Sequence, residues 1–170
     1  LKYQVFSKDL QTAITNYCND NGKLLISGSN IATDIWDKVF DFPIDSARVA
    51  DVVAPSKEFA QNVLHWRWMT NYADKNGKVK AAPSPYGFNG TYDFYTEMNE
   101  EVYSAESPDA INPVGEGAHT IFRYADNNIS AGVAYDGDYK VVTLGFPIET
   151  IKSEDAQLEI IKEVCNFFEK

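Results

Sequence analysis

The chain has 170 residues, of which 44% are hydrophobic and 14% aromatic, and this length and composition suit one domain around one core. Its net charge of −10 repels phosphate backbones, and no run of Lys or Arg interrupts the acidic character. Nucleic acid is therefore excluded as a partner. The apolar runs are far shorter than the roughly 20 residues of a membrane-spanning helix, so membrane insertion is excluded as well.

The N-terminus and the cysteines bear on the origin of the chain. The sequence begins at Leu1 with neither an initiator Met nor a basic and apolar leader, which predicts an internal piece of a longer protein. Cys18 and Cys165 both lie among apolar residues in segments with helical periodicity. This placement favours two buried free thiols, and one disulfide between them is the alternative.

The first third of the chain alternates helix, strand and helix. Apolar residues at helical spacing over 7–19, followed by Asn21-Gly22, predict a helix that ends at that pair. The run over 23–27 predicts a strand buried on both faces, and the apolar spacing from Ile31 to Phe40 predicts a second helix. A further helix starts near Ser56. This order predicts an α/β domain, a doubly wound parallel sheet covered by helices on both faces.

The middle of the chain has strand periodicity instead. Alternating aromatic residues from His65 to Val79, with a turn at Asn76-Gly77, predict a hairpin. Further strands are predicted over 92–98, 119–125, 129–135 and 139–146, and a helix capped by Ser153 runs to about Phe168. We therefore expect a single α/β domain over 1–170 with a β-rich insertion at about 65–125.

Ser29 is the first candidate for chemistry, because it follows a buried strand in the segment Gly28-Ser29-Asn30. Ligands gather at the carboxyl ends of strands in open α/β sheets, so Ser29 stands where a nucleophile could act. The segment lacks the full G-x-S-x-G elbow, however, and Ser is an ordinary helix cap. Both interpretations stay open.

A Ser-His-acid triad would need one of the two imidazoles. His65 and His119 are the candidates, with a carboxylate such as Asp34 or Glu149 as the third member. Structural roles for both histidines are the alternative. The acidic turns over 74–77 and 136–138 lack the later ligands of a calcium loop, and no Gly-rich phosphate loop is present. We therefore expect neither a metal nor a cofactor.

Aromatic residues are concentrated in and beside the predicted insertion. Exposed rings beside polar groups suit the binding of sugars, which makes Trp66, Trp68 and Tyr86 candidates for a glycan platform. Arg67 lies among them and could pair with an acidic sugar. The alternative is that these rings fill the core.

Several segments carry a resemblance to a known family. SGSNIATDIWD, FAQNVLHWRW, ESPDAINP, NNISAGVAYDGDYKVVTLGFPIETI and the terminal VCNFFEK resemble a domain of large Bacteroidetes proteins labelled as xanthan lyases. The resemblance covers nearly the whole chain. It implies a secreted or cell-surface location, with polysaccharide and the other domains of the parent chain as partners.

The first and last parts are also similar to the class I glutamine amidotransferase-like fold, a flavodoxin-like three-layer sandwich. This resemblance implies the fold alone, because the catalytic Cys of that family has no counterpart at Gly28-Ser29-Asn30. The leading hypothesis is a non-catalytic accessory or glycan-interacting domain of a larger exported protein of polysaccharide metabolism. The alternatives are a polysaccharide lyase, as the xanthan lyase label says, or a Ser-dependent hydrolase.

Overall fold

The computed structural model describes residues 5–36 and 53–170. The described elements are, in chain order, α1 (Lys8–Asn19), β1 (Lys23–Ser27), α2 (Thr33–Trp36), α3 (Ala54–Asn62), β2 (Trp66–Thr70), β3 (Lys78–Ala81), β4 (Thr91–Asp93), β5 (Ala110–Pro113), β6 (Ala118–Tyr124), β7 (Ser130–Asp136), β8 (Lys140–Leu144), a 3₁₀ helix (Ile148–Thr150) and α4 (Glu154–Glu169). Strands thus dominate the centre of the chain, and the long helices lie near its two ends.

The main sheet is mixed and curled. Its strand order is β1-β8-β7-β6-β3-β4, and only β1 and β8 are parallel. The prediction of a three-layer α/β sandwich of the class I glutamine amidotransferase-like kind is therefore wrong, and the fold is a β-rich half-barrel. A doubly wound sheet needs a helical crossover between neighbouring strands, whereas short turns join β6, β7 and β8 and force antiparallel pairing.

A second, two-stranded sheet joins distant parts of the chain. β2 pairs antiparallel with β5, so that Trp66 lies opposite Pro113. The hairpin predicted between His65 and Val79 is wrong, because β3 pairs with β4 and β6 instead. The hairpin predicted over 119–135 is confirmed as β6 and β7. The bounds of the domain at 1–170 and of the insertion stay predictions.

Two hydrophobic clusters form on opposite faces of the main sheet. Successive side chains of a strand point to opposite faces, so Val141 packs with α1, α2 and α3 while Val142 packs with α4. The α4 side chains in this contact are at helical spacing, from Ile160 through Val164 to Phe167. α4 thus contributes to one cluster, and the three earlier helices contribute to the other.

Local signals in the sequence place the two long helices correctly. Ser7 caps α1 by accepting a hydrogen bond from the backbone N–H of Leu10 at 3.3 Å, and Ser153 caps α4 in the same way. Such caps contribute about 1 kcal/mol each. Asn21 has a φ of 59°, the left-handed conformation expected just after a helix.

Other local predictions are only partly matched. β1 is parallel to its neighbour as predicted, but it lies at the edge of the described sheet and is half-buried. The helix predicted from Ile31 is described as far as Trp36, and its later part lies outside the described residues, as do residues 1–4. Both cysteines are free; Cys18 is buried as predicted, whereas Cys165 is exposed.

Candidate functional site

A cleft of about 430 Å³ lies where the two sheets meet. One wall follows the ends of β1 and β8, and the other comes from the loop after β2 and the loop before β5. The residues that line it are Gly28, Ser29, Asn30, Tyr72, Tyr103, Ser104, Glu106, Ser107 and Pro147. Polar groups and two aromatic rings therefore line one concave surface.

The first wall is built on the parallel pair of strands. Ser27 ends β1, and its Oγ donates to the carbonyl of Phe146 at 3.0 Å and accepts from the N–H of Ile148 at 2.8 Å. These bonds fix the segment after β1 against the segment after β8. Asn30 then takes a left-handed φ of 56°.

Ser29 Oγ is the unsatisfied group of this wall. The atom is buried and has no hydrogen-bond partner within the described part of the chain. A buried hydroxyl without a partner costs about 1 to 3 kcal/mol, so native proteins rarely retain one. Asp74 Oδ1 and Ser84 Oγ are in the same situation in the described ranges, and of the three residues Ser29 is the one that lines the cleft.

The second wall carries two exposed tyrosines. Tyr72 is 65% exposed and Tyr103 is 55% exposed. Tyr72 has a φ of 47°, which is strained for a bulky residue, and its backbone N–H donates to Ser107 Oγ at 3.4 Å. A residue with strained backbone thus carries an exposed aromatic ring beside the polar cleft.

Tyr103 is oriented by a carboxylate. Its hydroxyl donates to Glu149 Oε1 at 2.5 Å. Partial burial, together with this hydrogen bond and the charge of Glu149, raises the pKa of Tyr103 to about 12. The phenol therefore stays protonated at neutral pH, and its ring is fixed while its face remains exposed.

Asp109 is buried beneath the cleft and is hydrogen-bonded to residues next to both walls. Its carboxylate accepts from the N–H of Ile31 at 2.5 Å and from Trp68 Nε1 at 2.8 Å. Its own N–H donates to the carbonyl of Gly145 at 2.6 Å, an approach so close that a Cβ on Gly145 would meet the Asp109 carbonyl. Burial raises the pKa of Asp109 to about 7, against the effect of its two donors.

The predicted catalytic residues divide between two places. Ser29 lines the cleft, and Glu149 lies one side chain behind it, through Tyr103. His65 lies elsewhere, with Nε2 at 3.0 Å from the hydroxyl of Tyr139 and its ring stacked on Tyr135. Tyr139 precedes β8, whereas the cleft follows it, and five residues of strand span about 16 Å. The side chain of Asp34 lies outside the described residues.

His119 is also remote from Ser29. It lies on β6, three strands away from β1 in the sheet, a separation of about 14 Å at the usual strand spacing. Its ring meets the edge of Tyr86 at 5.3 Å between centroids. Neither imidazole is therefore placed to activate the Ser29 hydroxyl.

The predicted glycan platform is dispersed. Trp66 is fully buried, and its Nε1 donates to Thr143 Oγ1 at 3.1 Å. Trp68 is half-buried on Asp109, and Tyr86 packs against Phe167 while its hydroxyl donates to the carbonyl of Gly117. Arg67 is exposed on β2 but does not line the cleft. These aromatic residues are used mainly in packing.

Tyr72 and Tyr103 are the residues that sequence reasoning did not identify. A signal was available for Tyr103, which lies in an acidic stretch with glutamates at 97, 100, 101 and 106, a composition typical of an exposed segment. Tyr72 gave no such signal, because it continues the aromatic alternation of β2.

Metal and membrane sites have no geometric support in the described ranges. Within residues 5–36 and 53–170, no group of three or more His, Cys, Asp or Glu side chains is placed to hold a metal ion. In the same ranges no helix combines the length and apolar character needed to cross a bilayer.

Comparison with known proteins gives little further information. No protein-family model and no curated protein matches the chain. Among solved structures, the chain is similar to β-galactosidase from Bacillus circulans sp. alkalophilus, with a TM-score of 0.43 and 15% sequence identity. The match covers 63% of this chain and 14% of that chain, so it concerns a small part of the enzyme. At this TM-score the similarity carries no argument about the fold or the activity of the present chain.

Proposed function

We propose that the chain is a glycan-binding accessory module without catalytic activity, and that its binding site is the cleft between the two sheets. The observation that carries the proposal is the pair of exposed rings, Tyr72 and Tyr103, beside the orphaned hydroxyl of Ser29. A sugar presents C–H groups on one face and hydroxyls at its edge. The cleft offers aromatic surface for the first and polar groups for the second.

The polar groups of the cleft match the hydrogen bonding of sugar hydroxyls. Ser29 and Ser104 can each donate and accept, Asn30 can do both through its amide, and Glu106 can only accept. A hydroxyl is itself donor and acceptor, so it can pair with groups of either kind. A volume of about 430 Å³ falls within the usual range of small-ligand sites.

Binding fits this geometry better than catalysis does. A serine hydrolase needs a base within hydrogen-bond reach of the nucleophile, and neither histidine is close to Ser29. Tyr103 is a poor base, because its proton is held by the bond to Glu149. Two further parts of the proposal come from the resemblance to domains of proteins labelled as xanthan lyases. They are that the parent protein is larger and exported, and that the ligand is a polysaccharide.

The test is calorimetric titration of the chain with neutral hexasaccharides of glucose, galactose and mannose and with xanthan. Tyr72→Ala and Tyr103→Ala should each weaken binding about five- to ten-fold, the loss expected for one aromatic contact. Tyr17→Ala is the matched control, since Tyr17 is 50% exposed on α1 beside the opposite end of β1. It should leave affinity unchanged.

Two results would contradict the proposal. If no saccharide binds, the cleft is not a glycan site. If xanthan is converted to unsaturated products by the purified chain, the module is an enzyme, and the lyase alternative replaces the accessory one.

A further inference from the structure

The charged side chains identified in and directly behind the cleft are carboxylates. Glu106 is exposed and lines the cleft, with Oε1 at 3.4 Å from Ser104 Oγ. Glu149 lies directly behind Tyr103. None of the residues that the described chain contributes to the lining is Lys, Arg or His. An anion in the cleft would therefore meet a carboxylate without a compensating cation.

The surroundings extend the negative charge. A neighbouring groove shares Tyr103 and Ser104 with the cleft and is also lined by Glu100 and Glu101. The nearby cation Lys152 lies over the ring of Tyr95, 5.4 Å from its centroid, and outside both linings. Fields from several carboxylates add, so anionic ligands are disfavoured over this whole surface.

We infer, on the basis of the proposed glycan-binding function, that Glu106 sets the specificity of the cleft by admitting uncharged sugars and rejecting uronates. Its carboxylate can accept hydrogen bonds from two neighbouring hydroxyls of a neutral sugar. A uronate replaces a hydroxymethyl group with a second carboxylate, which is disfavoured by like-charge repulsion and by the absence of a basic side chain among the described lining residues. Arg67, the base expected to pair with an acidic sugar, does not line the cleft.

The experiment compares each neutral hexasaccharide of glucose, galactose and mannose with the same oligomer oxidised at C6 to the uronate. The wild-type chain should bind the neutral form at least about five-fold more tightly, the effect of two unit charges about 4 Å apart in water. Glu106→Gln keeps the shape of the side chain and removes its charge. The ratio of the affinity for the neutral form to that for the oxidised form should therefore fall several-fold. Glu116→Gln removes the same charge from an exposed residue between β5 and β6 and should leave this ratio unchanged.

The possible results separate this inference from the function on which it rests. Equal binding of neutral and oxidised forms, or a ratio that persists in Glu106→Gln, overturns the role of Glu106 while the glycan site stands. Binding of neither form to the wild-type chain overturns the glycan site itself, and the inference with it.

Discussion

The two ends of strand β8 differ in how completely their polar groups are satisfied. At its start, the Tyr139 hydroxyl lies at 3.0 Å from His65 Nε2 and from the carbonyl of Val63, and the His65 ring is stacked on Tyr135 at 3.4 Å. At its far end lie two exposed tyrosine rings and Ser29 Oγ, which has no partner among the described residues. Both ends contain residues of the kinds that perform chemistry.

This contrast shows how a binding surface differs from a structural cluster made of similar residues. In the His65 cluster the polar groups already have protein partners, and burial lowers the pKa of His65. Left-handed backbone occurs at both places, at His65 (φ 58°) and at Tyr72 (φ 47°), so the hydroxyl without a partner among the described residues is what distinguishes the cleft. The cleft therefore has interactions left to make, and a ligand can make them.

The largest expected effect is a pH dependence of the unfolding free energy, and it comes from Asp109, which lies beneath the cleft. The pKa of Asp109 is about 7 in the folded chain, against 3.8 for an ordinary Asp. Between these values the folded state holds the proton more tightly than the unfolded state, so stability falls as pH rises from about 4 to about 7. The loss is on the order of 4 kcal/mol at most.

Asp109→Asn should remove this dependence. Urea unfolding at several pH values should show the stability of the variant, relative to the wild-type chain, rising between pH ~4 and pH ~7 and levelling off above that. A constant difference across this range would mean that Asp109 does not titrate as described.

A smaller effect on stability is expected at the start of β8, where the polar groups have hydrogen-bond partners. Tyr139→Phe removes the hydroxyl that lies between His65 and the carbonyl of Val63, which should cost about 1 to 2 kcal/mol of unfolding free energy. Saccharide affinity should not change, because Tyr139 is at the end of β8 remote from the cleft. Loss of binding in a variant that remains folded would place the binding site at the His65 cluster.

The smallest effect on stability is expected at Ser29. Ser29→Ala removes one hydroxyl, as Tyr139→Phe does, but this hydroxyl has no partner among the described residues. The unfolding free energy should stay within about 1 kcal/mol of the wild-type value or rise, while saccharide affinity falls. A clear loss of stability with unchanged affinity would show that Ser29 is an ordinary structural residue.

Local structure and the hairpin of β6 and β7 were predictable from the sequence, but the pairing of β2 with its distant partner was not. Caps at Ser7 and Ser153 and the turn after Asn21 are short-range signals, and both long helices follow from them. The partner of β2 is β5, some forty residues later, and no local pattern encodes that choice. The short turns between β6, β7 and β8 do indicate antiparallel pairing, whereas the helix-strand-helix order near the N-terminus specifies only the one parallel pair, β1 with β8, in the described sheet.

The candidate site, too, was only partly predictable from the sequence. Ser29 was identifiable because it follows a short apolar run that predicts a strand, and this depends on neighbouring residues alone. The exposure of Tyr72 and the burial of Trp66 were not identifiable, since both belong to one aromatic alternation. Which ring reaches solvent depends on how β2 and β5 sit against the main sheet, and that is set by contacts distant in sequence.

The central claim is tested most directly by mapping the binding surface in solution. Amide chemical shifts of the ¹⁵N-labelled chain would be followed during titration with neutral hexasaccharides of glucose, galactose and mannose. The account predicts that shifts concentrate at residues 28–30, 71–73 and 103–107, while the amides of His65, Tyr135 and Tyr139 stay unchanged. Shifts concentrated at the His65 cluster, or no shifts at the cleft, would contradict it.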